Sequence, residues 1–135
     1  MVEGDENTGT LQFKISGREL KDLDFFSKSD PICVVETLRQ DMWVTLNQTE
    51  RIMNNLNPDF KKPIEIQYES KEQMLKFTFW DHDGGQDFEL IGHADVTVEE
   101  LCTNAEIGTE WEAPLIHPDK PNSKRGQVRV QVNKL

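Results

Sequence analysis

Five carboxylates fall in two groups far apart along the chain, Asp24 and Asp30 in one, and Asp81, Asp83 and Glu89 in the other. Each group stands where an apolar alternating stretch gives way to a polar loop. Ca²⁺ takes about six to eight hard oxygen ligands at roughly 2.3 to 2.6 Å, so carboxylates from separate loops must converge to hold it. The two groups therefore predict a calcium cup built from two loops.

The elements that would carry those loops are mostly strands. Leu11, Phe13 and Ile15 alternate with polar residues up to Gly17, a period of two that marks a half-buried strand. Residues 32–38 are apolar and β-branched, and 43–52 alternate again after the short Arg39, Gln40, Asp41 turn, which predicts a hairpin. Ile64, Ile66 and Tyr68 form a further alternating set, as do Leu75, Phe77 and Phe79. Residues 90–98 and 128–132 complete the long strands, and 101–105 read as a short helical turn. Residues 111–115 read as an edge strand, because Pro114 cannot donate to a ladder. Eight short strands with turns between them predict an all-β, antiparallel Greek-key β-sandwich with both acidic loops at one end. The domain is expected over residues 10–135, after a flexible segment at 1–9.

Length and composition narrow the function. The chain has 135 residues, 36% hydrophobic and 30% charged, enough for one core and without an apolar run of the roughly 20 residues that cross a bilayer. It opens acidic and polar where a secretory leader would be basic and then apolar, which predicts a cytoplasmic protein. Cys33 and Cys102 are isolated and read as buried free thiols. The net charge of −10, from 25 acidic and 15 basic residues, disfavours nucleic acid as a partner and disfavours anionic membrane unless cations are bound first.

Other metal and enzyme patterns fail. An EF-hand loop starting at Asp81 needs glycine at its sixth position and glutamate at its twelfth, where this chain has Gln86 and Gly92. His82, His93 and His117 lack zinc spacing. Paired acids can hydrolyse glycosides, but no nucleophile, base or phosphate-binding glycine loop accompanies these, so an enzyme is not expected.

The run from Leu23 to Pro31, the segment Trp80-Asp81-His82-Asp83, Asn55-Leu56-Asn57-Pro58-Asp59-Phe60 and Leu90-Ile91-Gly92 together resemble a C2 domain. The likeness extends over about residues 10–133. It is most similar to the first C2 domain of copines, through Phe26-Ser27-Lys28-Ser29-Asp30-Pro31, Thr49-Glu50-Arg51-Ile52 and Asn55-Leu56-Asn57-Pro58. The resemblance implies an eight-stranded sandwich, and the final strand over 126–132 is similar to the type II topology. It also implies calcium ligands at Asp24, Asp30, Asp81, Asp83 and Glu89, with the main-chain carbonyls of Leu23 and His82 as additions. Glu89 stands where the family usually has aspartate, which leaves Asp87 as an alternative fifth ligand.

What the resemblance implies for function is calcium-dependent docking to anionic phospholipid membranes by a cytoplasmic protein recruited to the membrane. Two or three Ca²⁺ would bring roughly four to six positive charges to an acidic rim and reverse its sign. Phe25 and Phe26, adjacent and apolar in a polar loop, cannot both be buried easily, so at least one is expected to enter the membrane; the competing reading has one plugging the core. Phe88 is a further insertion candidate and Lys28 a headgroup contact. A basic groove for phosphoinositides is not expected, since Thr49-Glu50-Arg51 mixes charges beside Lys61 and Lys62. The alternative function is a calcium-independent protein-protein interaction module that uses a sheet face or the loop at 118–125. The second C2 domain and von Willebrand factor A-like domain that copines carry do not fit within this length.

Overall fold

A computed structural model describes residues 7–24, 28–83 and 85–135. Its elements are β1 (Gly9–Arg18), β2 (Pro31–Arg39), β3 (Met42–Gln48), β4 (Ile64–Tyr68), β5 (Met74–His82), β6 (Phe88–Thr97), α1 (Val98–Ile107), β7 (Trp111–Pro114) and β8 (Gln127–Lys134). The strands form two four-stranded sheets, ordered β4-β1-β8-β7 and β3-β2-β5-β6, and every pairing is antiparallel. This is the expected all-β sandwich, with the last strand seated beside the first.

The alternation that predicts the strands also builds the core. Leu11, Phe13 and Ile15 of β1, Ile64 and Ile66 of β4, and Val128, Val130 and Val132 of β8 turn inward from one sheet. Cys33 and Val35 of β2, Leu75, Phe77 and Phe79 of β5, and Ile91 and Val96 of β6 meet them from the other. Phe77 sits at the centre, with ring centroids 5.4 Å from both Phe13 and Trp111. Burying each such ring contributes about 1.5–3 kcal/mol. Both cysteines are buried and unpaired, as their isolation in the sequence predicts.

Two local features differ from the sequence reading. The expected short turn at 101–105 is a ten-residue helix, α1. Thr97 caps it by accepting from the N–H of Glu100 at 3.2 Å, and Gly108 closes it in the left-handed region at φ 82°; these two caps define its ends. The expected strand over 43–52 starts at Met42 and stops at Gln48. Thr49 ends it, because its hydroxyl accepts from the N–H of Cys33 and the chain beyond turns into a loop.

Register places three loops at one pole. Pro31 of β2 lies opposite Asp81 of β5, so the loop after β1 (residues 19–30) and the loop after β5 (residues 83–87) leave side by side. Gln48 lies opposite Val34, so the loop after β3 (residues 49–63) leaves from the same end. α1 begins where Thr97 pairs with Met74, at the opposite pole. The root of the third loop is braced by a buried cation: Arg125 donates from Nε to the carbonyl of Ile91 at 2.6 Å and from Nη2 to that of Leu90 at 3.1 Å. Those carbonyls flank the β-bulge in which Ile91 has no cross-strand partner. The carbonyl of Arg125 in turn accepts from the N–H of Lys21 in the first loop, so one residue ties both acidic loops.

Candidate metal centre

The first loop is fixed from within. Ser29, fully buried, accepts from the N–H of Leu23 at 2.9 Å and donates to the carbonyl of Lys21 at 3.1 Å. This holds the backbone on either side of Asp24. The N–H of Asp24 also donates to Oδ1 of Asp22 at 3.2 Å.

The two acidic groups then meet directly. The N–H of Asp30 donates to Oδ1 of Asp81 at 2.8 Å, and the N–H of His82 donates to the carbonyl of Asp30 at 3.0 Å. Asp24, Asp30, Asp81 and Asp83 each bring a carboxylate oxygen within 4.8 Å of the others. Asp24 and Asp30 are half-buried and Asp83 is exposed, whereas Asp81 is 2% exposed. Among the described residues, ion pairs form at Arg18–Asp59, Arg39–Glu69, His93–Asp95, Arg129–Glu112 and Lys134–Glu106, and none engages these four carboxylates.

Electrostatics follow from that crowding. The carboxyl of Asp24 is pushed up from 3.8 to about 7, first by burial, then by its hydrogen bond to Asp81 and by repulsion from Asp81, Asp83 and Asp30. A carboxyl that resists ionisation beside three others is a place where a proton stands in for a cation. The geometry fits a hard divalent ion: oxygens bound at about 2.4 Å lie at most about 4.8 Å apart across the ion. With only oxygen donors, the set suits calcium rather than zinc.

The other sequence-derived residues take varied places. Glu89 lies opposite Asp81 in the β5–β6 ladder and is exposed. Its carboxylate is not part of the four-oxygen group. Asp87 is exposed, one position before Phe88 opens β6. Leu23 is half-buried against the core. The carbonyl of His82 accepts from Nη1 of Arg51 at 3.1 Å, and its ring stacks on Phe88 with centroids 4.1 Å apart. Phe88 is 51% exposed at the rim, and Lys28 is exposed, its N–H donating to Oδ1 of Asn54. Phe25 and Phe26 lie outside the described residues.

The second loop, which carries none of the expected ligands, contributes residues that the sequence reading missed. The N–H of Asn54 donates to Oδ1 of Asp30 at 2.7 Å, from a left-handed conformation with φ 54°. Met53 beside it is 65% exposed. An asparagine pair that tolerates positive φ, preceded by a methionine in a polar loop, was the available signal.

A family profile for the C2 domain matches residues 9–113. The chain belongs to the C2 domain family. Among curated relatives, this C2 domain is 30% identical to Nicotinic receptor-associated protein 1 of Caenorhabditis elegans over 154 aligned positions, covering 89% of this chain and 24% of that protein. It is 38% identical to Copine-A of Dictyostelium discoideum over 98 positions, covering 71% of this chain and 16% of that protein. The chain thus spans about a quarter or less of the length of these relatives. Among solved structures, a C2 domain of plant Extended Synaptotagmin 1 superposes with a TM-score of 0.76 at 17% identity, covering 95% of each chain. The calcium-bound pair of C2 domains from Extended-Synaptotagmin 2 gives 0.70 at 20% identity, covering 96% of this chain and 46% of that one. At such identities these structures speak to the fold alone.

Proposed function

We propose that this C2 domain is a calcium-operated membrane-docking module, a binding domain rather than an enzyme, recruited from the cytoplasm to anionic phospholipid. The observation that carries the reading is the convergence of four carboxylate oxygens within 4.8 Å at a pole where no described cation pairs with them. Metal-free, that pole repels phosphatidylserine headgroups. Each Ca²⁺ adds two positive charges there, and lipid phosphate or carboxylate oxygens complete the coordination that the protein leaves open. Phe88 at the start of β6 and Met53 in the second loop, both exposed at this pole, are the described side chains suited to enter the acyl boundary, in addition to the sequence candidates Phe25 and Phe26.

Sedimentation with phosphatidylserine vesicles, with and without Ca²⁺, tests the reading. The wild-type chain is expected to sediment only with Ca²⁺, and Asp30→Asn and Asp83→Asn to stay in the supernatant. Equal sedimentation of all three under both conditions would sink it.

One observation favours a second reading, a calcium-independent protein-interaction module. β3, with the sequence MWVTLNQ, is the one described strand without a charged side chain, lies at a sheet edge, and exposes Met42 to 69%. An uncharged edge strand is open to pairing with an extended partner segment. Partner capture that persists in chelator and is lost on Val44→Lys would support this reading.

A further inference from the structure

The second loop grips both acidic loops while lending no carboxylate to the cup. Ile52 donates from its N–H to the carbonyl of Pro31 at 3.1 Å, and Asn55 to the carbonyl of Ser29 at 3.0 Å. Asn54 donates to Oδ1 of Asp30 at 2.7 Å and accepts at its own Oδ1 from the N–H of Lys28 at 2.9 Å. These four bonds hold the segment from Lys28 to Pro31. Arg51 reaches the other way, with Nη1 donating to the carbonyl of His82 at 3.1 Å, across 31 positions of sequence.

The choice of acceptor is informative. Arg51 is half-buried and reaches the residue between Asp81 and Asp83, yet it takes part in none of the described ion pairs. A guanidinium in that position would ordinarily take a carboxylate, because charge-assisted bidentate pairs are the stronger bonds. Here it is bonded instead to the carbonyl of His82, the residue between Asp81 and Asp83. The carboxylates carry no described ion pair, while the backbone that bears two of them is tied to the loop that orients Asp30.

We propose that Arg51 is a positioning residue of the cup: through the carbonyl of His82 it holds Asp81 and Asp83 in register with Asp30. The proposal deepens the calcium reading above and rests on it for its consequence, but the clasp itself is a hydrogen bond between two residues of the chain. Two roles for Arg51 give opposite signs. As a bare charge it would repel Ca²⁺, and its removal would tighten binding. As a clasp, its removal frees the third loop, weakens binding, and lets the cup adapt to a larger ion.

Arg51→Met and Arg51→Lys distinguish these roles in two measurements on the same chain. In metal-free protein, Arg51→Met is expected to speed amide exchange at His82 and Asn54 by about tenfold or more, with exchange at Val130 in the core unchanged. In titrations followed by fluorescence, it is expected to lower Ca²⁺ affinity about tenfold and to shrink the preference for Ca²⁺ over the larger Sr²⁺. Arg51→Lys, which keeps a donor for the carbonyl, should recover part of each effect. Unchanged exchange at His82 and Asn54 in Arg51→Met, or tighter Ca²⁺ binding, overturns the clasp. A wild-type chain that binds neither ion, with exchange still sped in Arg51→Met, sinks the calcium reading and leaves the clasp standing.

Discussion

The backbone N–H of Asp30 donates to Oδ1 of Asp81 at 2.8 Å across 51 positions of sequence. This bond joins the two acidic loops directly, so the fold itself sets their carboxylates side by side. Pairing of Pro31 with Asp81 in the β2–β5 ladder makes it possible, since it sets the two loop roots side by side. Burial, then the hydrogen bond to Asp81 and repulsion from Asp81, Asp83 and Asp30, push the Asp24 carboxyl up to about 7. A bound cation would relieve that repulsion.

Calcium binding should be coupled to proton release near neutral pH. Asp24 titrates at about 7 in the folded chain, well above its ordinary value of 3.8, so the folded metal-free state binds its proton more tightly than the unfolded chain does. The stability this confers is complete below about pH 3.8, declines as pH rises, and is lost above about 7. Calcium requires the ionised form, so its apparent affinity should rise from pH 6 to pH 8 and then level off. Calorimetry in two buffers of different ionisation enthalpy should find close to one proton released per cup at pH 6 and close to none at pH 8. A proton count that does not change across this range would contradict it.

Asp83→Asn should stabilise the metal-free domain and weaken calcium binding. Asp83 is exposed and contributes to raising Asp24, so neutralising it removes repulsion without leaving a buried group unsatisfied. The melting temperature in chelator is expected to rise by a few degrees, while Ca²⁺ affinity falls by about tenfold or more. Thermal melts with and without calcium check both signs. A fall in both would mean that Asp83 holds the loop rather than crowds it.

Vesicle binding and ion binding should be separable by single substitutions. Met53→Ser removes an exposed side chain that supplies no oxygen to the cup. It should lower calcium-dependent vesicle binding by about tenfold, the loss expected for one partly inserted apolar side chain, and leave Ca²⁺ affinity in solution within about twofold. Phe88→Ser should lower both, because its ring stacks on His82 at 4.1 Å. Equal vesicle binding by wild type and Met53→Ser would remove Met53 from the membrane face.

The sheets and the four aspartates were legible in the sequence because each rests on a local signal. Alternation at Leu11, Phe13 and Ile15 names an inward face, and the spacing of Asp24 and Asp30, the second within Ser-Asp-Pro, resembles the first loop of a C2 domain. Arg51 carries no such local signal, and the asparagine pair at Asn54 signals a left-handed turn but not what it binds. Their partners, His82 and Asp30, lie 31 and 24 positions away, and only the register of three strands brings them together. Glu89 illustrates the same limit from the other side. The ladder seats it opposite Asp81, yet its longer, exposed side chain does not join the four-oxygen group. The full length of α1 was legible too, since Thr97 and Glu100 form a capping pair and Gly108 a stop, but the sequence reading took only its middle.

Gly126 should be the least replaceable glycine behind the cup. Its φ of 106° lies where side chains are rarely found, and an added Cβ would stand 2.8 Å from the carbonyl oxygens of Arg18 and Glu19 and from Cα of Leu20. Those atoms belong to the end of β1 and the start of the first acidic loop, which neighbouring Arg125 also binds through Lys21. Neither can yield without moving the loop root. Gly126→Ala is therefore expected to destabilise the domain by about 2 kcal/mol or more and to weaken Ca²⁺ binding with it, since Leu23 and Asp24 follow directly from the displaced segment. Gly85→Ala is the control, because a Cβ there meets nothing within 4 Å; its effect on stability should stay within about 0.5 kcal/mol. Chemical denaturation of both variants in chelator, followed by calcium titration, decides the matter, and equal stabilities would show that the close approach at Gly126 does not constrain the loop.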